Sequence, residues 1–226
     1  MANNRVELDS KFTDYIISSI SHDINEHGEA SLLVSGGSTP INLFDQLSQV
    51  DIPWEKVNIT LVDDRFVPDD HPDQNGAMVK TNLLKNYAAK AMFHPLIVNS
   101  NDADENLQKV RENINSIRRP FSVVILGMGE DGHTASLFPD CEELDVGMDL
   151  ENDKDLMITS PTQAPHQRIT FTRKALLNTS KLALHCYGNK KNQVLKLASG
   201  LKDYRPYPIE AFIHQDKVEL NVFWTE

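Results

Sequence analysis

The hydrophobic positions change period along the chain. Between residues 10 and 27, Phe12, Ile16, Ile20 and Ile24 recur at steps of four, which draws one apolar stripe down a helix. Ser10 is the expected N-cap, and Gly28 falls just past the end. Residues 31–34 form a short apolar run of strand type that opens into Ser35-Gly36-Gly37-Ser38-Thr39-Pro40. Pro40 suits a first helical turn with Thr39 as its cap, and Ile41, Phe44 and Leu47 supply the helical face that follows. Residues 57–62 predict a second strand, which ends in Asp63-Asp64-Arg65-Phe66-Val67-Pro68. Helices are expected near 75–87 and over 103–117, the latter with Leu107, Val110, Ile114 and Ile117 on one side. Phe121–Leu126 reads as a buried strand running into Gly127-Met128-Gly129-Glu130-Asp131-Gly132-His133. Strands over 155–159, 167–171 and 181–187, a helix over 190–199 and a last strand over 217–224 complete the pattern.

Strands that alternate with helices predict an α/β fold with a largely parallel sheet flanked by helices. No internal repeat or Ser/Gly linker interrupts residues 1–226, so a single domain is expected, with 140–153 an acidic, irregular surface excursion. The polar loops 35–40, 63–76 and 127–139 each follow a strand. In an open α/β sheet the carboxyl ends of the strands form the ligand crevice, so these three loops should meet.

Charge narrows the possible partners. The chain has 22 Lys and Arg against 33 Asp and Glu, a net charge of −11 that repels nucleic acid and anionic membranes at long range. A local basic pocket for one small anion is compatible with that field. With 40% hydrophobic residues the chain can build a core. Cys141 and Cys186 lie in no CxxC and near no histidine pair, which predicts free thiols, no metal site and a reducing compartment. The first residues carry no apolar run of signal type, and no apolar run is long enough to span a bilayer. A cytoplasmic location is the expectation.

Four groups of residues carry candidate chemistry. The turn through Gly36, Gly37, Ser38 and Thr39 offers backbone N–H groups, hydroxyls and a helix start, a natural phosphate or carboxylate site; it also reads as a plain capped turn. Gly127, Gly129 and Gly132 match G-x-G-x-x-G, but Pro139 cuts short any helix after them and no strand leads to Asp149, so a dinucleotide site is not expected. On that loop Asp131 and His133 lie two apart. A histidine there can take a proton from water while the carboxylate stabilises the imidazolium, or it can simply satisfy the loop backbone. The other seven histidines, His22 and His27 among them, read as solvated. Asp63, Asp64 and Arg65 at a strand end suit sugar hydroxyls and an oxyanion, or equally a surface ion-pair network. Arg168 and Lys191 begin elements; they read as ordinary surface charge, the commonest fate of such residues, or as the cations that an anionic ligand needs in so acidic a chain.

Taken in order, SGGSTP, DDRFVP, GMGEDGHTASLFP, RITFT and Gly188-Asn189-Lys190-Lys191 resemble the 6-phosphogluconolactonases of the glucosamine/galactosamine-6-phosphate isomerase family. The resemblance implies an open three-layer sandwich similar to glucosamine-6-phosphate deaminase and ribose-5-phosphate isomerase. It implies hydrolysis of 6-phosphogluconolactone in the oxidative pentose phosphate pathway, in functional coupling to glucose-6-phosphate dehydrogenase, by a monomer or small homo-oligomer without metal or organic cofactor. His133 would be the general base, Asp131 its support or a substrate contact, and Arg65 a contact to the lactone or the phosphate. Gly36, Gly37, Ser38, Thr39, Asp63, Asp64, Gly129, Arg168 and Lys191 would bind substrate, with Gly37, Ser38, Thr39, Arg168 and Lys191 on the phosphate. Two positions depart from the family pattern: Asp64 stands where glutamate is usual, and Gln74 where serine often precedes asparagine. Two other readings share the phosphate loop, an amino-sugar-phosphate deaminase or isomerase and a non-catalytic sugar-phosphate sensor. Arg65 and the run TASLFP weigh against the first, and the presence of both His133 and Asp131 against the second.

Overall fold

In a computed structural model of the chain, residues 4–69 and 71–226 are described. Helix α1 (Arg5–His27) starts a turn and a half earlier than the apolar stripe suggests. Its N-cap is Asn4, whose side-chain oxygen accepts from the Glu7 amide at 3.0 Å, so Ser10 lies inside the helix. Gly28 ends it in the left-handed conformation, donating its N–H to the Ile24 carbonyl. Leu8, Phe12, Ile16, Ile20 and Ile24 form the buried stripe, and Phe12 stacks on Phe223 at 3.9 Å between ring centres.

Among the described residues six strands form a wholly parallel sheet: β1 (Ala30–Val34), β2 (Val57–Leu61), β4 (Met92–His94), β5 (Phe121–Leu126), β8 (Thr179–Tyr187) and β9 (Leu220–Thr225). Their order is β4-β2-β1-β5-β8-β9, in register from Val34 opposite Leu61 to Leu126 opposite Leu184. The chain winds outward from β1 through β2 to β4 and returns on the other side at β5. That reversal puts a switch point, and hence a crevice, at the carboxyl ends of β1 and β5. Helices α2 (Ile41–Ser48), α3 (Asn75–Asn82), α4 (Ala103–Ile114) and α7 (Asn189–Ser199) connect the strands. No side chain caps α2, so Thr39 is not its cap; Pro40 takes that position instead.

Three strands do not join the large sheet. The short strand β3 (Asp63–Arg65), β7 (Arg168–Phe171) and β6 (Leu156–Thr159) form an antiparallel sheet of their own. The strands expected at 155–159 and 167–171 therefore exist, but outside the parallel sheet. The loop between them is too short for the crossover that parallel pairing requires. The segment 140–153 is less irregular than its composition suggests. It contains α5 (Leu144–Met148), which buries Leu144 and Met148 one turn apart and sets Gly147 against Leu137 and Met157. Two short helices, α6 (Arg173–Leu177) and α8 (Glu210–Ile213), complete the chain.

Candidate active site

The three loops meet as expected. Ser35, at the end of β1, donates its hydroxyl to the Ile125 carbonyl at 2.9 Å and accepts from the Gly127 amide at 2.8 Å, which ties the first glycine turn to the one after β5. Between them opens a cavity of about 500 Å³ lined by Gly36, Gly37, Ser38 and Thr39, with Asp63, Arg65, Gly129, His133, Arg168 and Lys191. Gly37 sits at φ +85°, where a side chain is strained, and this lets the turn lead its backbone into the uncapped start of α2.

The second glycine run serves the histidine. His133 Nδ1 lies 2.6 Å from Asp131 Oδ1, and the same oxygen accepts from the His133 amide at 3.2 Å. Donating Nδ1–H to the carboxylate leaves Nε2 as the proton acceptor. The ring stacks on Phe138 at 4.1 Å. Burial alone would lift the Asp131 carboxyl, but the hydrogen bonds and charge of His133 outweigh it and hold the group below its usual range. Asp131 is outside the cavity lining, so it reaches the cavity through His133. The glycines have their own reasons, unrelated to a dinucleotide. A Cβ on Gly129 would stand 2.2 Å from His133 Nδ1 and 2.3 Å from Asp131 Oδ1, and Gly132 is at φ +74° against Tyr207.

The Asp-Asp-Arg run splits in three directions. Asp63 lines the cavity and accepts the Ser136 hydroxyl at 2.5 Å, which makes Ser136 a support rather than a nucleophile. Asp64 turns inward, away from the lining. Its carboxylate accepts from the amides of Arg65 and Asn75, both at 2.7 Å, and Gly76 at 2.9 Å, and so caps α3 from a distant segment. Burial pushes it up to about 7 against those three donors. Gln74 is buried too and bonds Asp69 at 2.9 Å, so neither departure from the family pattern faces the cavity. Arg65 donates to the Asp73 carbonyl at 2.5 Å and lines the cavity.

Across the small sheet Arg65 pairs directly with Arg168. Like charges at opposed positions are unfavourable, and Arg168 is only 4% exposed, with its Nε buried and unpartnered. Burial and the charge of Arg65 both pull its pKa below the usual range. Two guanidiniums held in this way present positive charge that an anion could offset. Lys191, on the first turn of α7, lines the same cavity, while its neighbour Lys190 turns out to Glu130 at 3.5 Å.

Sequence reasoning missed four contributors. Asn75, Asp73, His166 and His185 all line the cavity. His185 is not a solvated histidine: it is 2% exposed and its Nε2 lies 2.9 Å from the buried carboxylate of Asp9. His166 Nε2 lies 3.2 Å from Asp73 Oδ2. Only the closeness of His166 to Arg168 in sequence could have flagged it.

The fold and the site together define a class: an α/β protein whose switch-point crevice brings a glycine turn and two opposed arginines beside a histidine that a carboxylate supports. Residues 3–224 match the family described as "Glucosamine-6-phosphate isomerases/6-phosphogluconolactonase", and the chain belongs to that family. It is 36% identical to a 6-phosphogluconolactonase of Rhizobium meliloti over 98% of this chain and 95% of that one. It is 37% identical to one from Helicobacter pylori, over 90% and 87% of the two chains. A crystal structure of a 6-phosphogluconolactonase from Shewanella baltica superposes with a TM-score of 0.95 at 38% identity, covering 100% of this chain and 96% of that one.

Proposed function

We propose that the protein hydrolyses 6-phospho-D-glucono-1,5-lactone to 6-phospho-D-gluconate in the oxidative pentose phosphate pathway. The observation that carries this reading is a single cavity lined by His133, Arg65 and Arg168, with Asp131 bonded to His133 from just outside the lining. The similarity to 6-phosphogluconolactonases over nearly the whole chain supports it.

The phosphate is held by the turn Gly37–Ser38–Thr39, by Arg168 and by Lys191. His133 Nε2 takes a proton from water as the water oxygen attacks the lactone carbonyl. Asp131 stabilises the imidazolium so formed. Arg65 lies where it can face either the phosphate or the developing oxyanion. When the tetrahedral intermediate collapses, the ring C–O bond breaks and the imidazolium returns its proton to the departing ring oxygen. Water is consumed, one carboxylic acid and one hydroxyl are formed, and His133 is restored. A positioned base of this kind contributes typically about 10²–10⁴-fold.

We read residues 1–226 as one catalytic unit acting in the cytoplasm, where glucose-6-phosphate dehydrogenase supplies its substrate. No helix of the described residues is long and apolar enough to cross a membrane. The test is to generate the lactone with that dehydrogenase and follow acid release with and without the protein, subtracting spontaneous hydrolysis. No acceleration overturns the reading. Ammonia released from glucosamine 6-phosphate would assign the site to a deaminase, and lactone binding without turnover to a sensor.

A further inference from the structure

A side-chain cluster at the rim of the cavity is not used by the hydrolytic steps above. His71 and Asp73 come from the turn before α3, and His166 from the loop between β6 and β7. His166 Nε2 lies 3.2 Å from Asp73 Oδ2, and His71 Nδ1 lies 3.9 Å from the same oxygen. The two imidazoles meet edge to face with ring centres 5.0 Å apart. One donor atom from each of the three falls within 4.8 Å of the others. A tetrahedral zinc ion with bonds of about 2.0–2.1 Å separates its donors by about 3.3 Å, so to share one ion these side chains must close by up to about 1.5 Å, which rotation of solvent-accessible side chains can supply.

The surroundings hold the donors in place. Arg65 fixes the Asp73 backbone through its carbonyl and leaves the carboxylate to the histidines. His166 sits at φ +71°, a left-handed conformation that a non-glycine residue adopts at a cost. His71 Nδ1 now accepts a long bond, 3.2 Å, from the Asp73 amide, which a metal would replace. Two imidazoles and one carboxylate suit zinc and its neighbours in the first transition row. Magnesium and calcium require mainly oxygen donors. Three protein donors leave a fourth position for water. Arg65 and Arg168 oppose a second positive charge nearby, so weaker affinity than that of a structural zinc site is expected.

We infer that His71, Asp73 and His166 form a binding site for a zinc-class divalent cation, and that its occupancy slows hydrolysis by obstructing the cavity mouth beside Arg65. The binding half stands independently of the reaction; the inhibitory half rests on the lactonase reading.

Co²⁺ is the probe, because its visible absorption reports coordination without reference to activity. The full chain, prepared without a polyhistidine tag, is titrated with Co²⁺ and the bands are then displaced with Zn²⁺. The expected result is one ion per chain, with no displacement by Mg²⁺. His71→Gln and His166→Gln each weaken binding by about 100-fold or more, at or beyond the top of the range for losing an outer-shell partner. Absence of Co²⁺ bands, or unchanged affinity in both variants, overturns the site. Loss of the bands in His133→Ala but not in His71→Gln also overturns it, by moving the ion to the catalytic pair. In hydrolysis assays, chelator leaves the wild-type rate unchanged and Zn²⁺ lowers it. His71→Gln keeps the basal rate, since His71 is outside the cavity lining, and resists Zn²⁺. Co²⁺ binding at the cluster without any Zn²⁺ effect on rate overturns the inhibitory half alone.

Discussion

His133 Nδ1 and Asp131 Oδ1 stand 2.6 Å apart, with the imidazole in the cavity lining and the carboxylate outside it. On the proposed reading His133 is the group that meets water and Asp131 the group that fixes its tautomer. His133→Ala is expected to lower kcat by about 10²–10⁴-fold while 6-phosphogluconate still binds within a few-fold of wild type. Asp131→Asn should lower kcat less, since it perturbs the base without removing it. Stopped-flow detection of acid release, corrected for background, measures both. A near wild-type rate for His133→Ala would refute the assignment.

Gly129 tests the same pair without replacing either residue. A methyl group there would stand 2.2 Å from His133 Nδ1, so the pair must separate to admit it. Gly129→Ala should lose activity about as fully as Asp131→Asn while its thermal midpoint changes little, because the clash falls on a surface loop. Gly127→Ala is the control, since its Cβ would meet Ser35 at an ordinary 3.5 Å. If the two variants behave alike, the close approach does not matter.

Selectivity for the 6-phosphate should rest on the cations. A charge-assisted hydrogen bond contributes roughly 1.5–3 kcal/mol, which corresponds to about 10- to 150-fold in KM when one is lost. Lys191→Ala and Arg168→Lys are expected to raise KM on that scale and to change kcat less. Arg168→Lys is preferred over alanine because a buried guanidinium cannot be deleted without leaving a void. Equal kcat/KM of the wild type on gluconolactone and its 6-phosphate would remove the phosphate site.

Asp64 links the site to stability. Its carboxyl titrates at about 7 in the fold against 3.8 for an ordinary aspartate, because burial disfavours the charge. The native protein therefore keeps a proton that the unfolded chain releases. This contribution is full below pH 3.8, falls as pH rises toward about 7, and is flat above that. Asp64→Asn should remove this slope. It should also cost about 1–3 kcal/mol at every pH, since its NH₂ would face a backbone N–H that now has an acceptor. Urea midpoints measured from about pH 4 to pH 8 distinguish the two effects. The same slope in both proteins would show that Asp64 does not titrate in this window.

What could be read from the chain alone was what neighbours within a few residues decide. The four-residue stripe of α1, the strands β1, β2 and β5, the glycine turn before α2 and the placing of Asp131 two residues before His133 all depend on local geometry. Tertiary structure decided the rest. Arg65 opposes Arg168 only because β3 and β7 pair antiparallel, a register set by packing across more than a hundred residues. Asp9 meets His185 over a separation of 176 positions, and no periodicity signals a hydrogen bond of that span. Asp64 resembled a ligand group in sequence and became the cap of α3, because the amides of Asn75 and Gly76 arrive beside it only when the chain folds back. Side-chain type sets what a residue can bind. Which partner it meets depends on how distant segments pack, and local pattern carries no record of that.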